Sequence, residues 1–223
     1  MVRMRPQRSP SRIDVTRPPA PPLEESSGKE RDRAERIRVL AQGLQVDRPI
    51  VLIGMPGAGK TTMGRRLAAA LRLPFKDADH EIQNAAGRTI PQIFEELGEP
   101  EFRRGEQRVI ARLVQGGQPL VLATGGGAFM NADTRALLAG AALTIWLRAD
   151  LELLLRRVEK KDNRPLLRNG DQRATLERLM RDRHPQYAEA DIVIDMGGGP
   201  QAAGLEAVLR AVAAYFDRQR AGA

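Results

Sequence analysis

The stretch Pro49-Ile50-Val51-Leu52-Ile53-Gly54-Met55-Pro56-Gly57-Ala58-Gly59-Lys60-Thr61-Thr62 decides how this chain folds. Ile50–Ile53 is an uninterrupted apolar run, the pattern of a strand buried on both faces. It leads directly into G-x-x-x-x-G-K-[ST], matched in full, and Lys60–Leu71 then reads as a helix. Strand before and helix after is the context that a phosphate-binding loop requires. Glycines let such a loop curl until its N–H groups point at one phosphate chain. The dipole of the following helix favours the same anion. Lys60 has the length to reach β- and γ-phosphates, and a hydroxyl at Thr61 suits Mg²⁺. Gly57, Ala58, Gly59, Lys60, Thr61 and Thr62 are therefore nucleotide-binding candidates. The loop alone does not choose between ATPase, GTPase and kinase.

Working outward, further short strands are read at Phe75–Ala78, Leu120–Ala123, Leu143–Leu147 and Ile192–Ile194. Helical patterns separate them at about 79–86, 90–97, 100–115, 151–159, 172–188 and 200–219. Short apolar strands alternating with helices imply an α/β fold with a parallel sheet covered on both faces. Ligands of such sheets bind beyond the carboxyl ends of the strands. The stretch 160–170 is polar and loop-like. Upstream, residues 1–22 are rich in Arg and Pro and are expected to stay disordered. Ser27 with Glu30 three residues on reads as a capping box. It opens an amphipathic helix over about 28–44 that carries Ile37, Leu40, Ala41 and Leu44. Residues 1–27, 28–47 and 48–223 are thus read as extension, helix with linker, and main domain.

The chain has 223 residues, 42% of them apolar, enough for a substantial core. No apolar run approaches the roughly 18 residues that span a bilayer, and the basic N-terminus has no apolar stretch behind it. A cytoplasmic protein is expected. The absence of cysteine excludes disulfides and thiol chemistry. The net charge is +8, and of the 36 basic residues only five are lysine. A basic surface attracts nucleic acid or small anions, but a compositional bias toward arginine explains the charge equally well.

Three features narrow the class. No N-K-x-D occurs, which argues against a guanine-reading switch. The third strand ends in Thr124-Gly125, where many phosphate-loop ATPases carry a metal-binding Asp. Two carboxylates, Asp77 and Asp79, follow the second strand instead. Strand alternation at period two is read as pointing them in opposite or staggered directions, one toward a metal and one toward a second substrate. A pair of solvated turn acids is the plain alternative.

Together with the loop, five further signatures resemble the shikimate kinase family. They are Asp77-Ala78-Asp79; Phe102-Arg103-Arg104-Gly105-Glu106; Gly125-Gly126-Gly127; Arg164-Pro165-Leu166-Leu167; and Arg183-His184-Pro185-Gln186-Tyr187. Their order and approximate spacing are the family's, and they cover the chain from about Arg48 onward. The resemblance implies a P-loop, mononucleotide-kinase-like three-layer fold with a five-stranded parallel sheet, substrate-binding helices and a mobile lid at about 160–170. It implies Mg²⁺-ATP phosphorylation of the 3-hydroxyl of shikimate, in aromatic amino-acid biosynthesis. By motif position, Asp77 joins Thr61 at the metal. Asp79, Arg103, Gly126 and Arg183 hold shikimate, Glu106 supports them from behind, and Arg157 and Arg164 close over the nucleotide. Lys60, Asp79 and Arg164 are the catalytic set.

These roles make chemical sense. Shikimate carries a carboxylate and three hydroxyls. A planar guanidinium fork suits the carboxylate, and an ionised Asp79 can orient the attacking hydroxyl. Gly126 lets backbone approach the ligand, and Arg164 can stabilise charge on the transferring group. Each has a plainer reading. Arg103 stands among Glu101, Arg104 and Glu106, a run that by itself reads as a solvated face. The glycine triplet alone is a turn, Trp146 is core, and His184 is a surface or cap residue. The run Gly197–Gly199 falls where some members carry an arginine toward adenine. A gluconate-type kinase and a basic nucleic-acid-binding protein remain as rivals. A monomer acting on small molecules is expected. A chain starting at Val46 is expected to keep catalysis, since every motif lies downstream.

Overall fold

The structure is a computed structural model that describes residues 23–158, 171–199 and 201–221. The expected disorder of residues 1–22, the lid at about 160–170 and Arg164 with its Arg-Pro-Leu-Leu run lie outside the described residues.

Strand β1 (Ile50–Ile53) is buried at every position and occupies the centre of the sheet. It pairs in parallel with β3 (Val121–Ala123) on one side and β4 (Leu143–Ala149) on the other. Strands β2 (Phe75–Asp77) and β5 (Ile192–Met196) complete the edges, giving the order β2-β3-β1-β4-β5, all parallel. The strand order reverses at β1. A crevice therefore opens at its carboxyl end, where parallel sheets bind ligands. Every connection between parallel strands must cross over, and helices supply the crossings.

Helices α2 (Lys60–Leu71), α3 (Ala78–Ala86) and α4 (Ile90–Gln115) follow. Thr89 and Gln92 form a capping box at the start of α4. Gly98, at φ +77°, together with Pro100 breaks α4 where the sequence predicts two helices. A helix that the sequence reading does not assign, α5 (Ala132–Ala141), starts on an Asn131 cap that accepts from the Thr134 N–H at 2.9 Å. Helices α6 (Leu151–Val158), α7 (Gln172–Tyr187) and α8 (Gln201–Ala221) complete the layers. Among the described residues no helix is long and apolar enough to cross a membrane.

The N-terminal helix α1 runs Leu23–Gln42. It begins before the expected residue 28, so Ser27 falls within it. Ile37, Leu40, Ala41, Leu44 and Val46 pack on the main core. Glu206 of α8, only 9% exposed, receives Arg36 Nε at 2.8 Å from α1 and Arg210 Nη2 at 2.7 Å from its own helix. Those two guanidiniums draw its carboxyl down from 4.5 to about 2. A depressed carboxylate stabilises the fold above its unfolded pKa and loses that contribution as pH falls through the folded one. The melting-temperature margin of the parent over Glu206→Gln is therefore expected to be constant above about pH 4.5 and to shrink toward pH 2. A margin that grows on acidification would contradict this.

Candidate active site

The loop between β1 and α2 closes over its own backbone. Gly57 and Gly59 hold φ of +89° and +97°, a region that side-chain-bearing residues enter only with strain. Lys60 is 9% exposed, and its Nζ donates to the carbonyls of Gly54 (2.8 Å) and Met55 (3.1 Å). Arg157 of α6 donates Nη1 to the carbonyls of Ala58 (3.0 Å) and Gly57 (3.3 Å). Its neighbour Arg156 is exposed.

Thr61 Oγ1 donates to Asp77 Oδ2 at 2.8 Å. The other oxygen of Asp77 accepts from the Asp79 N–H at 3.2 Å and caps α3. The two acids part for a reason other than the one first given. Strand alternation would put residues two apart on one face. Here β2 ends at Asp77, and Asp79 already stands in the first turn of α3. Thr61 and Asp77 offer hard oxygen donors, and the described residues contain no cluster of three metal-ligating side chains. That set fits Mg²⁺, which takes one or two carboxylates plus substrate phosphates and does not need an all-protein cage.

The glycine triplet after β3 is where the distant motifs meet. A Cβ on Gly125 would stand 2.6 Å from Glu106 Oε1 and 3.1 Å from Asp79 Oδ1. One on Gly126 would meet Pro56 Cδ at 3.0 Å and Arg183 Nη1 at 3.2 Å. One on Gly127 would meet Arg103 Nη1 at 2.6 Å. None of the three has a positive φ. They are glycine because charged side chains crowd them from three elements.

Arg103 donates Nη1 to Glu106 Oε2 at 2.8 Å and Nη2 to Glu99 Oε1 at 3.0 Å. Its run is thus only partly a solvated face, since Glu106 is 2% exposed. Burial pushes the Glu106 carboxyl above its usual range, against the pull of Arg103. Its Oε1 has no hydrogen-bond partner among the described residues. From α7, Arg183 donates Nη1 to the Gly126 carbonyl at 3.0 Å, and the Tyr187 hydroxyl donates to the same oxygen. Tyr187 is fully buried, and burial raises its pKa to about 12.

A cleft of about 540 Å³ runs along this edge. The phosphate loop, Asp77, Asp79, Gly125, Gly126 and Arg157 line it, and Gly197, Gly199, Gln201 and Gly204 line it as well. All the expected site residues that the structure describes therefore gather on one edge of the sheet. Tyr187 had no assigned role in the sequence. Its place four residues after Arg183, on the same helical face, was the available signal. His184 corrects the surface reading. It is half-buried, edge-on to Trp146 with centroids 5.0 Å apart, and burial lowers its pKa. Trp146 is core, as expected.

A family model for shikimate kinase matches residues 56–213. A shikimate kinase of Caulobacter vibrioides is 56% identical over 163 residues, 73% of this chain and 81% of the relative. A solved shikimate kinase from Acinetobacter baumannii, in complex with shikimate, superposes with a TM-score of 0.71 at 38% identity. It covers 76% of this chain and 95% of that one. A gluconokinase from Sinorhizobium meliloti reaches a TM-score of 0.54 at 16% identity, covering 79% and 99%, which is a likeness of fold alone. On these matches the chain belongs to the shikimate kinase family.

Proposed function

We propose that this chain transfers the γ-phosphoryl group of ATP to the 3-hydroxyl of shikimate, giving shikimate 3-phosphate and ADP. The observation that carries the reading is the glycine turn. It brings Asp79, Glu106, Arg103 and Arg183 to the same sheet edge as a complete phosphate loop. One end of the cleft is built for a polyphosphate and the other for a small polyhydroxy acid.

Gly57–Thr62 hold the nucleotide phosphates through backbone N–H groups, with Lys60 reaching the γ-phosphate and Arg157 bridging the loop. Arg164 belongs to the same nucleotide set by motif. Thr61 and Asp77 would hold Mg²⁺, which neutralises charge on the β- and γ-oxygens. Arg103 and Arg183 clamp the carboxylate, the Gly126 backbone lies against the ligand, and Asp79 orients the hydroxyl. Glu106 fixes the Arg103 fork. Placing the hydroxyl in line with the phosphorus is most of the catalytic task, because phosphoryl transfer asks for position and charge stabilisation. In the same reading the enzyme works as a cytoplasmic monomer on two small molecules. A coupled assay of ADP release with shikimate, gluconate and no acceptor tests it. Turnover on gluconate equal to that on shikimate would overturn it.

Arg103→Ala and Arg183→Ala are each expected to raise the shikimate KM by about 10- to 100-fold, the worth of a charged hydrogen bond of roughly 1.5–3 kcal/mol. The ATP KM should stay within about threefold. Gly127→Ala should give part of the same effect, since its methyl lands on the Arg103 guanidinium. That guanidinium ends a flexible side chain and can swing aside, so the melting temperature should hardly move. Calorimetry showing equal losses for both ligands would refute the clamp.

A further inference from the structure

Helix α8 has two jobs. Its first turns, with Gln201, Ala203, Gly204 and Ala207, wall one end of the cleft. Glu206, between those residues, reaches away to α1. There it meets Arg36 Nε at 2.8 Å and Arg33 Nε at 3.5 Å. Ile37, Leu40 and Ala41 of α1 add apolar packing on the core beside it. The carboxylate is nearly buried and is held by guanidiniums from two helices, so α8 cannot slide or rotate without breaking contacts to α1. The motifs that place the chain in its family all lie downstream of α1.

We infer that α1 is a positioning element of the nucleotide site: through Arg33 and Arg36 on Glu206 it fixes the α8 turn that walls the cleft beside the phosphate loop. The inference rests on the reading of that end of the cleft as the nucleotide site. Among the described residues, none of α1 lines the cleft, so its effect passes through α8. Nucleotide affinity is sensitive to α1, while the shikimate end, built on α3, α4, α7 and the glycine turn, is not. Truncation at Val46 would then cost ATP affinity even where folding survives.

The test uses the full-length chain with Arg36→Ala, Glu206→Gln and their combination. Arg36→Lys serves as the conservative rescue. Arg210→Ala serves as a control that removes a Glu206 partner within α8 while leaving α1 in place. The ATP KM and the ADP Kd by calorimetry are expected to rise about 3- to 10-fold in Arg36→Ala and Glu206→Gln, the range of a modest coupling through a packed element. The double variant should be no worse than the worse single one, since both break one contact. Arg36→Lys should recover most of the loss, and Arg210→Ala should lose less than Arg36→Ala. The shikimate KM and kcat should stay within about twofold. A lowered melting temperature with unchanged ATP KM and ADP Kd would overturn the inference, leaving α1 a stabiliser only. Equal rises in both substrates' KM would overturn it too. If the parent failed to phosphorylate shikimate while its ADP affinity still fell in these variants, the substrate reading would fail and the positioning role of α1 would stand.

Discussion

Lys60→Ala is expected to lower kcat by about 10²–10³-fold, the usual cost of deleting one charged or donor group aimed at a developing transition-state charge. Loose phosphoryl transfer spreads negative charge over the equatorial oxygens. A nearly buried ammonium beside the loop meets that charge in a medium that screens it poorly. The structure adds a second consequence. Lys60 also donates to the carbonyls of Gly54 and Met55. Its removal strips a donor from a loop whose glycines already hold left-handed conformations. A stability loss of about 1–3 kcal/mol, the cost of leaving a buried acceptor unsatisfied, should accompany the kinetic one. Thermal melts separate the two effects. A folded Lys60→Ala variant with near-parent turnover would show that this loop does not serve the reaction.

The second large effect divides the two aspartates. Asp77→Asn should raise the Mg²⁺ concentration needed for half-maximal rate, because an amide is a poorer partner than a carboxylate for a hard cation. Its contact with the Thr61 hydroxyl, at 2.8 Å, sets it on the phosphate-loop side. Asp79→Asn should leave that requirement almost unchanged. It should lower kcat and weaken shikimate, since the Asp79 carboxylate lies beside the glycine turn at Gly125, which Glu106 also crowds. A fall of roughly 10²–10⁴-fold marks Asp79 as the group that takes the hydroxyl proton. A smaller fall marks it as an orienting acceptor, which a loose transition state permits. Mg²⁺ and shikimate titrations of both variants decide the assignment. Asp79 governing the metal and Asp77 governing shikimate would sink it without touching the family.

Much of the molecule was legible before any coordinates. The phosphate loop is a local object. Its glycines, lysine and hydroxyl act within one turn, so spacing along the chain is spacing in space. The inner strands were legible because a central parallel strand such as Ile50–Ile53 must be apolar on both faces. The short helix Ala132–Ala141 escaped because its residues are mostly small and only Thr134 and Leu138 are buried, too weak a period to read. The acid pair stood out in the sequence, but its divergence was explained wrongly, because a strand end cannot be located to one residue from sequence.

What the chain determined by itself, then, was its class of chemistry: a strand, a phosphate loop, and a set of charged motifs in a fixed order. What only tertiary structure decided was which charges are partners. Arg103 and Arg183 come from helices about eighty positions apart, and they share one glycine turn because the crossovers bring α4 and α7 to the carboxyl edge of β3. The arginines of α1 look like a solvated face in one dimension. Folding sets two of them, Arg33 and Arg36, against Glu206, about 170 residues away. Local periodicity reports which face of an element is apolar, but it carries no information on which distant carboxylate will meet a guanidinium. That pairing is set by sheet order and helix packing, and it is what turns a list of motifs into a site.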